Sequence, residues 1–240
     1  MEVEDAPSPN HEPRPEGVPV DILLLHYTGM ETGDAALARL CDPEAKVSAH
    51  YLIEEDGRVF QLVEEERRAW HAGVSCWKGE HDINSRSIGI ELVNPGHEFG
   101  YRPFPEAQMA ALIELAGGIV KRHPIPSHRV LGHSDVAPAR KQDPGELFDW
   151  RRLADAGLGI WPDPVETPVD TPPIAWFQAA FARVGYCLAR SGRMDDETRA
   201  VITAFQRHFQ PEAVGGEADR STAARLLGLQ RALERTGASS

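Results

Sequence analysis

Residues 21–27 read DILLLHY. Four consecutive apolar residues, without the alternation of a half-solvated strand, predict a strand covered on both faces, and such strands belong to α/β sheets. The segments around it agree. VSAHYLIEEDGRVFQLV, 47–63, reads as a hairpin whose two β-prone runs flank Asp56-Gly57, a pair suited to a two-residue type I′ turn. SIGIELV, 87–93, predicts a strand with Ile88, Ile90 and Leu92 on one face and Glu91 on the other. EAQMAALIELAGGIVKR, 106–122, carries Met109, Leu112, Ile113, Ala116, Ile119 and Val120 at helical spacing, and His123-Pro124 ends the helix. RVLGH, 129–133, is a short last strand. The expected fold is an α/β domain over 18–160, with a mixed central sheet flanked by helices.

The segment 161–173, WPDPVETPVDTPP, has five prolines and no helical or strand period, so it reads as an extended, semi-rigid linker. Beyond it, 174–235 predicts a small three-helix domain. Ala179, Phe181 and Ala182 fall in the first helix, Val201, Ile202, Phe205 and Phe209 in the second, and Leu226, Leu227 and Leu229 in the third. Asp195 and Asp219 stand where they can cap the second and third. So short a segment makes a marginal core, which suits an accessory module. The acidic, proline-rich stretch 1–17 is expected to be flexible.

A formal charge of −12 over 240 residues argues against a nucleic-acid partner, whose phosphates need clustered Lys and Arg. The three cysteines, Cys41, Cys76 and Cys187, are an odd number without CxxC spacing, so free thiols and a reducing compartment are expected. Residues 1–17 lack a basic n-region and an apolar h-region, and no apolar run approaches the roughly 18 residues of a membrane span. The expected location is the cytoplasm if Met1 is the native start, with the periplasm as the alternative.

Chemistry concentrates in residues 132–145, GHSDVAPARKQDPG. His26 and His133 both end predicted strands, and in α/β sheets ligands bind at strand C-terminal ends. Asp143 follows on a proline-bounded loop. Two imidazoles and a carboxylate suit zinc with a fourth position left open for catalysis. Spacing does not show that the three converge, and a histidine satisfied at a strand end is the competing reading. Glu91 is either a surface carboxylate or one facing a cleft, its pKa raised by burial so that it can move a proton. Lys141 is either a solvated charge or a partner for a developing oxyanion. His11, His81, His97, His123, His128 and His208 sit in polar or loop contexts and are expected to be solvated.

In order, LLLHYT with His26, VSAHYLIEEDG, RAWHAGVSCWKG, NSRSIGIELVN with Glu91 and GHSDVAPARKQDPG resemble the zinc-dependent N-acetylmuramoyl-L-alanine amidases of the type 2 amidase and peptidoglycan-recognition fold. The resemblance runs from residue 21 to 153. It implies zinc held by His26, His133 and Asp143, with Glu91 as catalytic acid/base and Lys141 stabilising the tetrahedral intermediate. It also implies that Trp70, His71, Asn84 and Arg86 bind substrate, a muropeptide or peptidoglycan. Asp143 stands where part of the family has cysteine, and Ala49 where the phage-lysozyme type has tyrosine. Both features resemble the branch that accepts 1,6-anhydro-muropeptides in cell-wall turnover.

GRMDDETRAVITAFQ, 192–206, is similar to the three-helix peptidoglycan-binding repeat through Gly192, Thr198, Phe205 and Gln206, with Asp219 and Thr222 matching its second half. Met194 and Asp195 depart from that repeat, so a module that only packs against the large domain is the rival. Two further readings compete with the amidase. One is a non-catalytic peptidoglycan-recognition protein. The other is a structural zinc site closed by His50 or His71 as fourth ligand.

Overall fold

The computed structural model describes residues 2–163 and 165–237, so Met1, on which the expected native start rests, lies outside the described residues. The strands in chain order are β1 (Val3–Asp5), β2 (His11–Pro13), β3 (Ile22–Tyr27), β4 (Tyr51–Ile53), β5 (Val59–Gln61), β6 (Arg67–Ala69), β7 (Ser87–Leu92) and β8 (Val130–Gly132). Six of them form the main sheet in the order β1-β5-β4-β7-β3-β8, while β2 and β6 pair in a separate ribbon. Only β4 and β5 are antiparallel neighbours in the main sheet, which makes it mixed. The helices are α1 (Gly33–Cys41), α2 (Gly96–Phe99), α3 (Glu106–Arg122), α4 (His133–Val136), α5 (Trp150–Asp155), α6 (Ile174–Val184), α7 (Asp196–Phe209) and α8 (Arg220–Arg235). Among the described residues, no helix is long and apolar enough to cross a membrane.

Strand β3 is covered on both faces, as its unbroken apolar run requires. Leu23 and Leu25 join Ile88, Ile90 and the α3 residues Leu112, Ala116 and Ile119 in one core. Ile22 and Leu24 point the other way, into a core with Leu131, Phe177, Phe181 and Phe205. Each such side chain fully removed from water contributes about 1.5–3 kcal/mol before conformational entropy is subtracted.

That second core spans α6, α7, α8 and the sheet, so the three C-terminal helices do not stand apart as a bundle. They cover one face of the sheet. Asp195 caps α7 by accepting the Thr198 N–H at 2.9 Å, and Asp219 caps α8 by accepting the Thr222 N–H at 2.7 Å. The proline-rich segment before them is extended but laid against α8. Asp163 donates its N–H to the Gly228 carbonyl and pairs with Arg235.

Three expectations are corrected here. The stretch 1–17 is not a flexible tail: β1 extends the main sheet beside β5, and β2 pairs with β6. Arg14 donates to the carbonyls of Glu65, Asn84, Ser85 and Ser87 at 2.9–3.0 Å. Proline and acidic residues read as disorder, yet edge strands carry both for protection. The hairpin turn is not type I′, because Glu54 N–H pairs with the Arg58 carbonyl and Gly57 alone has positive φ, +91°. A three-residue loop ending in a left-handed glycine satisfies that register. Finally, Cys76 and Cys187 form a disulfide across 111 residues, leaving Cys41 free. The inference of a reducing compartment falls with the free-thiol reading. Its partners lie in the loop after β6 and the turn after α6, so no local spacing marks them.

Candidate active site

Parallel pairing builds the site. The register sets His26 of β3 beside Glu91 of β7, and Leu25 beside Gly132 of β8. The C-terminal ends of three adjacent strands therefore deliver His26, Glu91 and, one residue past β8, His133. Asp143 arrives on the following loop, whose carbonyl accepts the Ser134 N–H at 2.9 Å.

His26 Nδ1 and His133 Nδ1 lie 2.9 Å apart, and Asp143 Oδ2 lies 3.1 and 3.0 Å from them. The three residues are buried and form the metal-ligand cluster found among the described residues. A tetrahedron with metal–nitrogen spokes of about 2.0–2.1 Å has edges of about 3.3 Å, so these donor atoms fit three corners with slight opening. The far nitrogens are committed elsewhere, which fixes the tautomers. His26 Nε2–H donates to His71 Nδ1 at 3.0 Å, and His133 Nε2–H donates to the Ala72 carbonyl at 3.0 Å. His71 in turn faces Ser87 Oγ at 3.3 Å, and that hydroxyl donates to the Ile83 carbonyl. No fourth histidine closes the cluster. His71 spends Nδ1 on the back of His26, and His50 accepts the Gly89 N–H while its other nitrogen faces Arg67 O and Arg14.

Electrostatics set the protonation states. Burial, reinforced by neighbouring His133, pulls His26 down to about 4 and leaves it neutral, as a ligand must be. Burial pushes the Asp143 carboxyl up, but His133 and His26 more than offset this and hold it well below the ordinary carboxylate range. Glu91 goes the other way. Burial raises it well above its ordinary value, the Asp143 charge adds to that, and Lys141 opposes it. Its Oε2 is buried without a hydrogen-bond partner. A carboxyl whose pKa is raised in this way beside three donor atoms is poised for proton transfer.

A cavity of about 360 Å³ opens onto Glu91, His133 and Asp143, with Tyr27, Trp70 and Lys141 in its walls. Lys141 has no hydrogen-bond or ion-pair partner for its ammonium among the described residues, and its charge reaches both Glu91 and His26. Trp70 is in the wall and His71 lies behind His26. The other two expected substrate contacts are engaged within the protein. Asn84 Oδ1 accepts the N–H groups of His71 and Ala72 at 3.1 and 2.8 Å, so it shapes the backbone under the site and does not line the cavity. Arg86 pairs with Asp21 at 2.6 Å and Glu80 at 2.9 Å, at the opposite end of β7 from Glu91.

Sequence reading missed two supports. Arg140 donates to the carbonyls of Ala72 and Val74 at 2.6 and 2.9 Å, and Ala72 O is the acceptor that orients His133. Nothing in PARKQD separates it from a solvated arginine. Asp135, on the turn that begins with His133, accepts from Gly132 N–H at 2.8 Å, Tyr186 O–H at 2.6 Å and His208 Nδ1–H at 2.7 Å. His208 is therefore buried, contrary to expectation, with its ring stacked on Trp150 at 3.6 Å. Its place on the buried face of α7, beside Phe209, was the available signal.

Residues 16–146 match the family described as N-acetylmuramoyl-L-alanine amidase, which covers more than half of the chain. The chain belongs to this amidase family. Residues 170–226 match a second family, described as a putative peptidoglycan binding domain. The N-acetylmuramoyl-L-alanine amidase AmiD of Escherichia coli K12 is 41% identical over 228 residues, spanning 85% of this chain and 80% of that relative. Its structure in complex with anhydro-N-acetylmuramic acid-L-Ala-D-γ-Glu-L-Lys superimposes with TM-score 0.79 at 38% identity, covering 95% of this chain and 94% of AmiD. The 1,6-anhydro-N-acetylmuramyl-L-alanine amidase AmpD of Enterobacter cloacae is 36% identical over 64% of this chain and 89% of its own length. The family expected from the ordered motifs is thus the family found, with the amidase fold.

Proposed function

We propose that this amidase hydrolyses the amide between the lactyl group of (1,6-anhydro-)N-acetylmuramic acid and L-Ala of the stem peptide, in peptidoglycan turnover. The observation that carries this reading is the convergence of His26 Nδ1, His133 Nδ1 and Asp143 Oδ2 beside the half-buried Glu91, its Oε2 withdrawn from water, at an open cavity. Similarity to AmiD and AmpD supports the substrate class. His26, His133 and Asp143 would hold zinc. Zinc in a three-ligand site supplies Lewis acidity, a water acidified to a pKa of about 7, and positive charge that draws Glu91 back toward its ionised form.

The chain's own groups then divide the remaining work. Glu91 accepts the proton of the attacking water and returns it to the departing L-Ala nitrogen, a contribution of about 10²–10⁴-fold. Lys141 presents its ammonium to the oxygen that gains charge as the carbonyl becomes tetrahedral. Trp70 offers an apolar wall for the sugar or peptide. His71 and Ala72 O keep both imidazoles turned inward. We also propose that the protein works in an oxidising compartment, hence the periplasm of the two expected locations. The Cys76–Cys187 disulfide supports this, since such bonds persist where thiols are not kept reduced.

The test compares 1,6-anhydro-N-acetylmuramoyl-tripeptide with intact sacculi, using zinc-loaded protein, chelated protein and Glu91→Ala. Zinc- and Glu91-dependent release of peptide is expected. A Glu91→Ala protein that still turns over, or zinc-loaded wild type that binds muropeptide without cutting it, refutes the proposal.

A further inference from the structure

The loop that carries Lys141 and Asp143 faces α7 across a cleft of about 410 Å³. Arg140, Lys141 and Gln142 line one wall, and Arg199, Thr203 and Arg207 line the other. Four cations thus meet a single lining carboxylate, Asp196, with Glu217 and Glu146 pairing loosely with Arg199 and Arg207 from outside the lining, in a chain whose net charge is −12. Much of the donor capacity is unspent. Among the described residues the Arg199 guanidinium makes only long contacts of 3.5 Å, a hydrogen bond to Gly216 O and an ion pair with Glu217. Arg207 Nη2 donates to Gln142 at 3.1 Å, but its Nε is buried without a hydrogen bond, with Glu146 Oε2 3.6 Å away. Arg140 reaches Ala72 O and Val74 O through Nη2 alone. The cleft and the catalytic cavity lie on the same loop, with Arg140, Lys141 and Gln142 in the walls of both.

We infer that this cleft between catalytic loop and C-terminal helices is a subsite for the free carboxylates of the stem peptide. The inference rests on the muropeptide reading above. Muramic acid has one carboxyl group, and it is consumed in the bond to L-Ala. In the ligand bound to AmiD, γ-linked Glu leaves its α-carboxylate free and the terminal Lys leaves another. All the carboxylates of such a substrate therefore lie on its peptide, and a basic cleft beside the scissile bond recognises that side. Guanidinium suits the task because its planar fork pairs bidentately with carboxylate. The helical unit then reads peptide from its α7 face, whatever it does with glycan.

The experiment uses the full chain and three anhydro-muropeptides: the free acid, one with the Glu α-carboxylate as carboxamide, and one with the C-terminal carboxylate as carboxamide. KM and kcat are measured separately for wild type, Arg199→Gln, Arg199→Glu and, as a charge control away from the cleft, Arg231→Gln. Amidating the carboxylate that sits in the cleft should raise wild-type KM by about five- to tenfold with kcat little changed. Arg199→Gln should raise KM similarly for the free acid, with no added effect on that amide, and Arg199→Glu should raise it further. Which amide is affected tells which carboxylate is bound. Equal KM for all three substrates, or an Arg199→Gln effect equal on all three, overturns the subsite. Equilibrium binding of the same ligands to Glu91→Ala protein separates the two readings. Carboxylate-dependent binding with no wild-type turnover overturns the amidase proposal alone, and carboxylate-independent binding overturns the cleft alone.

Discussion

Replacing Asp135 with alanine should uncouple the C-terminal helices from the metal-ligand turn. The carboxylate is 1% exposed and accepts hydrogen bonds from Gly132 N, Tyr186 Oη and His208 Nδ1 at 2.6–2.8 Å. Asp135→Ala leaves these donors buried and unpaired. Each orphaned donor costs about 1–3 kcal/mol, and partial relaxation reduces the sum, so a loss of about 4 kcal/mol is expected. Tyr186→Phe removes one donor and should cost about 1–2 kcal/mol. Urea unfolding of both singles and the double mutant closes a thermodynamic cycle. A coupling energy of about 1 kcal/mol or more is expected for the Asp135–Tyr186 pair. Because His133 shares the turn, zinc affinity of Asp135→Ala should also fall by about tenfold or more, as with other residues that orient ligands. An Asp135→Ala protein that loses less than about 1 kcal/mol, or a cycle that closes at zero, refutes the claim that this network joins the helices to the site.

Gly89→Ala should damage the site without touching a ligand, since an added Cβ would lie 2.5 Å from His71 Nδ1, the atom that orients His26. Lower zinc affinity with retained far-UV circular dichroism would show this, and unchanged affinity would count against the orienting role of His71. Reducing the Cys76–Cys187 bond, or replacing both cysteines with serine, should lower unfolding stability by about 2–4 kcal/mol. Urea titration with and without reductant reads the difference, and an unchanged midpoint would deny the bond a stabilising role. Burial pushes the Glu65 carboxyl up, but hydrogen bonds from Arg122, Tyr51 and His123 override it and bring its pKa down to about 2 from an ordinary 4.5. A depressed carboxyl stabilises the fold above its unfolded pKa and loses that contribution as pH falls through the folded value. The wild-type advantage over Glu65→Gln should therefore be about 2 kcal/mol at neutral pH, after discounting for the half-exposed Arg122, and shrink between about pH 4.5 and 2. An equal gap at pH 7 and pH 2.5 would contradict this.

Local chemistry was legible in the sequence wherever one element sufficed to state it. The apolar run of β3 demanded cover on both faces, the period of 106–122 marked a helix with those bounds, and Asp195 and Asp219 announced the starts of α7 and α8. His26, Glu91, His133 and Asp143 could be singled out because strand ends and a proline-bounded loop are where α/β sheets place ligand groups. Their convergence could not be read, because it depends on the parallel register that sets His26 beside Glu91. The same limit explains why Asn84 and Arg86 lie away from the cavity wall. Residue type and neighbourhood matched a groove, but the direction of each side chain follows from which end of β7 it occupies and which backbone it meets. It also explains the pairing of Cys76 with Cys187, the burial of His208 on Asp135 and the anchoring of Arg14 under β7. In each, the partner is distant in sequence, and only closure of the chain brings it within hydrogen-bond or covalent reach. The sequence by itself determined the central strands, the long helix 106–122 and the C-terminal helices, and which side chains can do the chemistry. Tertiary structure decided which of those side chains meet, and that the C-terminal helices complete the core behind the site, because burial and long-range contacts are properties of the folded chain.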